Sequence, residues 1–253
     1  MKRLSGTLQA AWILGIAWFV GLYSLFLFSP LFSGWGSFFW GTIVYLLFSV
    51  FVWAVSRQSA RQDAESTEFW RRCCRILWLV SYALFLYYVT FSTVRIHGFP
   101  VPAETREEQR ALYREYYVNL RFGKQLYAYY YKNAYFAFYY LKEEGLYSLR
   151  RLTIPSLNLL GNLFLMVPLA VILPACFPLF KRWYCFAGAV LLQSVSVEAL
   201  QYLFMRGSCD VDDLFLNFFG AFAVMLLLEI PRLGRWRESL LDFSDKREKK
   251  TAG

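Results

Sequence analysis

Residues 198–220 read Glu198-Ala-Leu-Gln201-Tyr-Leu-Phe-Met-Arg206-Gly-Ser-Cys-Asp210-Val-Asp212-Asp213-Leu-Phe-Leu-Asn217-Phe-Phe-Gly220. Four acids, one arginine and two amides sit here between long apolar runs. Ionisable groups inside membrane segments are costly to bury and mark functional candidates by default. The spacing predicts two transmembrane helices that carry these groups to one face of a membrane.

Outward from this stretch, the rest of the chain supports the membrane reading. Of 253 residues, 58% are hydrophobic and only 18% charged, whereas an ordinary soluble domain carries about a quarter charged residues. No charge falls between Leu4 and Ser56, and a span needs roughly 20 apolar residues. Six crossings are predicted: Leu8 to Phe28, Phe38 to Val55, Ile76 to Val94, Asn158 to Phe180, Trp183 to Met205 and Asp213 to Glu229. Ser29-Pro30 and Ser33 to Ser37 make the first break. Pro168 and Pro174 fall inside the fourth span, where neighbouring helices can satisfy the freed backbone. Met1-Lys2-Arg3 followed by an apolar run reads as a retained first span, since no small-residue cleavage site follows.

The fold class is therefore all-α integral membrane protein. Its parts are two N-terminal spans with a polar loop from Arg57 to Arg75 (residues 1–75), a four-span domain (residues 76–230) and a charged tail (residues 231–253). The basic residues orient it. With the N-terminus inside, sixteen of 27 Lys and Arg fall in the N-terminus, the Arg57–Arg75 loop, Lys181-Arg182 and the tail, as the positive-inside rule requires. Both termini are then cytoplasmic, and the insert at about residues 97–151 lies outside.

Within that insert Thr105-Arg-Glu-Glu108 is a capping-box pattern, so a helix starts there. Leu112, Tyr113, Tyr116, Tyr117 and Leu120 give it an apolar stripe. From Leu126 to Leu141, nine of sixteen residues are Tyr or Phe. The charge rule disfavours a seventh crossing there. The segment reads as a helix on the membrane surface or over the bundle. A boundary-anchoring belt is the preferred role for its rings, ahead of stacking on sugars.

Glu198 and Gln201 share a helix face, with Glu198 roughly 12 Å from the Arg206 end of its helix. Asp213 and Asn217 share another, and Asn158 and Asn162 a third. Ligand-binding candidates are Glu198, Gln201, Arg206, Asp210, Asp212, Asp213, Asn217 and Asn162; catalytic candidates are Glu198, Asp210 and Asp213. Each has a plainer reading. The aspartates can cap a helix, the amides can join helices, and Arg206 can pair with Asp210. Glu198 is the hardest to explain by capping. The five cysteines (Cys73, Cys74, Cys176, Cys185, Cys209) and His97 show no metal spacing, and no disulfide framework is evident. The carboxylates could hold Mg²⁺ or Ca²⁺ through oxygens, but no motif requires a cofactor. The net charge of +9 is not a clustered nucleic-acid face.

The run Arg206 to Gly220 with Glu198-Ala-Leu-Gln201 resembles the VanZ-like family, named for a teicoplanin-resistance protein. Asn162, Val167-Pro168-Leu169 and Leu173-Pro174 are similar to further family motifs. The likeness covers roughly Ile76 to Glu229. Ala170 stands where the family usually has Gly, the tyrosine-rich insert is unusually long, and the first two spans look like an addition. The resemblance implies a bacterial cytoplasmic-membrane protein linked to tolerance of glycopeptide or other envelope-directed agents. It supplies no reaction. Three readings stay open: a pocket for an envelope lipid or glycopeptide, a membrane enzyme acting on a phospholipid or lipid-linked headgroup with Glu198 as general base, and a small transporter.

Overall fold

A computed structural model describes residues 4–28, 35–92 and 105–243 of the chain. Lys2, Arg3, the Ser29–Gly34 part of the first break, His97, the opening of the insert and the last ten residues of the tail lie outside them. The chain forms two compact units. The first comprises Met1–Arg95, Val171–Pro178 and Leu227–Gly253; the second comprises Ile96–Ala170 and Leu179–Leu226. Among the described residues, six helices are long and apolar enough to cross a membrane: Gly6–Ser24, Phe39–Gln62, Ala64–Phe91, Asn158–Cys176, Trp183–Phe204 and Val211–Leu228. The protein is an all-α, multi-pass membrane protein.

In the first unit, α1 (Gly6–Phe28), α2 (Trp35–Gln62) and α3 (Thr67–Tyr87) pack through aromatic rings. Phe19 stacks on Phe48 at 3.8 Å and Tyr45 on Phe85 at 4.9 Å. The Trp78 indole donates to the Ser49 carbonyl at 3.1 Å. Such ring pairs add to plain area burial.

The polar loop expected from Arg57 to Arg75 is instead almost wholly helical. Helix α2 runs on to Gln62 and α3 begins at Thr67, leaving a connector of a few residues. Arg, Gln, Ala and Glu are good helix formers. Glu68 also meets Arg71 and Arg72, each at 3.5 Å, one turn along α3. The tail too is more ordered than its charge suggests. Helix α12 (Pro231–Leu240) follows Pro231 at its first turn, and Phe243 is buried. The Trp53 indole donates to the Leu240 carbonyl at 2.7 Å, tying the tail to α2.

The second unit begins with α4 (Arg106–Tyr117), capped as its sequence predicts. The Glu108 amide donates to Thr105 Oγ1, and the Thr105 amide to Glu108 Oε2, both at 3.2 Å. The aromatic stretch is not one regular helix. It divides into α5 (Lys124–Ala128), a π-helical stretch at Tyr129–Ala134 that contains Lys132-Asn133, α6 (Tyr135–Tyr139) and α7 (Leu141–Glu144). Tyr127, Tyr131, Tyr135 and Tyr139 form a ladder with ring separations of 5.3, 6.0 and 5.9 Å.

The predicted fourth span is interrupted. Helix α8 (Arg150–Leu165) ends before a turn at residues 166–168, and α9 (Leu169–Cys176) resumes after Pro168. Proline cannot donate the amide that would continue α8, and it disfavours helical geometry in the residue before it. Two regular helices complete the unit: α10 (Trp183–Phe204) and α11 (Val211–Leu228).

Candidate functional site

Helix α10 buries Phe186, Val190, Ser194, Val197 and Glu198, positions three and four apart that form one face. The helix ends on Met205, which takes a left-handed φ of 51°, followed by Gly207 at φ 74°. A left-handed residue closes a helix well, though a non-glycine there carries strain. The Arg206 amide returns to the Gln201 carbonyl at 3.0 Å. Gly207 at that φ lies in the left-handed region that side chains rarely adopt, so this corner favours glycine. The chain turns through Ser208 and enters α11 with Asp210 as its cap: Asp210 Oδ1 accepts from the Asp212 amide at 2.8 Å.

Glu198 fixes this corner. Its Oε2 accepts from the Asp210 amide at 2.8 Å. The Gln201 amide satisfies its surroundings with its nitrogen toward Glu198 Oε2 and the Ser208 carbonyl, both at 3.2 Å. Glu198 is 7% exposed, Asp210 2% and Asp212 1%. A carboxylate this buried needs donors, and the turn's own backbone supplies one. Glu198 thus has the structural task that capping alone did not reveal.

The insert completes the arrangement. Strand β1 (Val118–Asn119) pairs in parallel with β2 (Cys209–Asp210), Val118 opposite Cys209 and Asn119 opposite Asp210. Asn119 Nδ2 donates to Asp210 Oδ1 at 3.0 Å. The Gly123 amide donates to Asp212 Oδ1 at 2.6 Å. Tyr113, fully buried, donates its hydroxyl to the Gln201 carbonyl at 3.2 Å. Cys209, at the centre of the bridge, has its thiol pushed up to about 11, by burial first and by the charges of Glu198 and Asp210 next. Burial likewise raises the Tyr113 phenol, with Cys209 and Glu198 adding.

One turn further along, the Asn162 amide of α8 reaches the Asp213 carboxylate. Asp213 Oδ1 and Asn217 Oδ1 are buried without a hydrogen-bond partner among the described residues. Helices α8 and α11 touch closely here, because a Cβ on Gly220 would fall 1.7 Å from the Leu163 carbonyl oxygen. The structure therefore brings together Glu198, Gln201, Asp210, Asp212, Asp213, Asn217 and Asn162. Arg206 is exposed, and its backbone amide closes α10. Among the described residues, no group of three or more His, Cys, Asp or Glu is placed to hold a metal ion.

The VanZ/LLP1 family model matches residues 79–232. The chain belongs to the VanZ/LLP1 family. No curated protein and no solved structure matched it. The VanZ-like part contains every side chain of the cluster, and α1 and α2 precede it. Asn119, Gly123 and Tyr113 were not foreseen as site residues. Their partners lie 88 to 91 residues along the chain, beyond the reach of local spacing rules.

Proposed function

We propose that this VanZ-like protein lies in a bacterial cytoplasmic membrane with both termini inside. Its outward corner binds an envelope component or an amphiphilic envelope-directed agent, and binding alters susceptibility to glycopeptides. The orientation is supported by the sixteen cations assigned to the cytoplasmic segments. The observation that carries the binding reading is the polar cluster itself. Carboxylates and amides from three apolar helices meet in buried or half-buried positions, and two of their oxygens, on Asp213 and Asn217, have no hydrogen-bond partner among the described residues. Buried acceptors left unmatched cost free energy. A ligand donor reaching them from the corner recovers that cost.

The enzyme reading needs Glu198 as a general base. Its Oε2 already accepts from the Asp210 amide, which favours recognition over proton transfer. A divalent cation stays a weaker option, since Asp210 and Asp212 spend oxygens on Asn119, Gly123 and the start of α11.

Expression in a glycopeptide-susceptible bacterium tests the proposal. The wild-type chain should raise the inhibitory concentration of teicoplanin. Asp213→Asn and Glu198→Gln, which keep shape and drop charge, should accumulate normally and lose the effect. A wild-type chain without effect on any envelope-directed agent counts against the proposal, as does full tolerance in both variants.

A further inference from the structure

A cavity of about 680 Å³ opens beside the corner, within the second unit. Three cations line it: Arg114 from α4, and Arg121 and Lys124 from the segment after β1. None of the three forms an ion pair with a carboxylate among the described residues. Three like charges around one hollow repel one another and focus a positive field into it. The Arg121 and Lys124 amides are held by Asn119 Oδ1 and the Arg121 carbonyl, both at 3.2 Å, so the loop bearing the cations is pinned.

Much of the remaining lining is apolar. Val118, Leu120, Ala199 and the ring of Tyr202 contribute there. Leu120 is 78% exposed, and Leu203 and Phe204 near the end of α10 are about as open as a lipid-facing surface requires, at 60% and 62%. Ala199 lies five residues before the end of α10, roughly 8 Å of helix. That depth is where a span passes from hydrocarbon to headgroups. The volume suits a headgroup with the start of its chains.

We infer that this cavity binds an anionic amphiphile through its phosphate, with Arg114, Arg121 and Lys124 on the phosphate oxygens and the chains along Leu120, Ala199 and Tyr202. Arginine matches phosphate bidentately and lysine adds a point charge. The cavity uses none of the carboxylates discussed above, so the inference stands whether or not the protein alters susceptibility.

The test uses the purified full-length chain in a neutral detergent with three probes: dioctanoyl phosphatidic acid, dioctanoyl phosphatidylcholine and inorganic phosphate. Affinity is measured directly. Occupancy of this cavity is read as slowed alkylation of Cys209, which lines it, by peptide mass spectrometry. Phosphatidic acid should bind and protect Cys209, while phosphatidylcholine and inorganic phosphate should do so far more weakly. Neutralising all three cations as R114Q/R121Q/K124Q should weaken phosphatidic acid by about a hundredfold, taking each surface cation at its usual worth. Ala199→Trp fills the cavity from an exposed position and leaves the cations in place. It should also abolish protection, and it decides the matter if the triple variant does not accumulate. Unchanged affinity in either variant overturns the inference, as does binding that leaves Cys209 unprotected. Equal protection by phosphatidylcholine removes the role of charge. Equal affinity for inorganic phosphate removes the amphiphile.

Discussion

Two buried aspartates, each beside a helix junction, serve opposite ends. Asp63 sits in the connector between α2 and α3, 1% exposed, and neither carboxylate oxygen has a hydrogen-bond partner among the described residues. Asp210 sits between α10 and α11, 2% exposed, and its Oδ1 takes the Asp212 amide and the Asn119 side chain while its own amide feeds Glu198. The acid in the first turn of α3 is handled differently again. Glu68 is about half exposed and meets three arginines. At the first junction charge meets charge near water, where pairs are worth little. At the second, carboxylates meet backbone amides away from water, and the backbone has few other places to go. Buried acid alone therefore says little; what donates to it decides whether it shapes the fold.

Substitution sharpens this contrast. Asp210→Ala removes the cap and strands the Asn119 amide. It should cost about 3 kcal/mol, summing a cap and an unmatched buried donor, read as a fall in thermal stability in detergent. Asp210→Asn, which can still cap, should recover much of it. A loss below about 1 kcal/mol would put Asp210 on the same footing as Asp63.

Cys209 reports the electrostatics of the same corner. Its folded thiol holds its proton more tightly than an ordinary thiol at 9.0. The linked stability is full below pH 9 and is lost as pH rises through about 11. Alkylation at pH 8 should run about a hundredfold slower than for a free thiol, with a rate that keeps rising past pH 10. A rate that levels off near pH 9 would show that neither burial nor the nearby carboxylates act on it.

Effects at the first junction should be smaller. Asp63→Ala removes an unmatched buried carboxylate, so stability should hold or rise by about 1 kcal/mol. A clear loss there would reveal a partner for Asp63. Glu68→Gln should cost about 0.5 kcal/mol or less, vanishing in high salt.

Much of this was legible in the residues. Charge-free runs marked the spans because bilayer thickness sets their length. Thr105 and Glu108 marked the start of α4 because a capping box is local. The polar run 198–217 marked the corner because acids are rare among apolar residues. The rest is non-local or competitive. Asn119 and Gly123 meet α11 only through the fold. The arginines from 57 to 75 looked like a loop by charge, yet helix propensity and the Glu68 pairs extend the helices through them. Pro168 is tolerated inside the fourth span, as Asn158–Cys176 shows, but a turn at residues 166–168 divides its helix in two.

The insert is latched to the α10–α11 corner, with Val118 opposite Cys209. Adjacent strands lie about 5 Å apart, within disulfide reach. The most direct measurement is oxidation of Val118→Cys in native membranes, with Cys73, Cys74, Cys176 and Cys185 replaced by Ser. A disulfide between position 118 and Cys209 should form in most molecules. Two thiols that both remain open to alkylation after oxidation would contradict it.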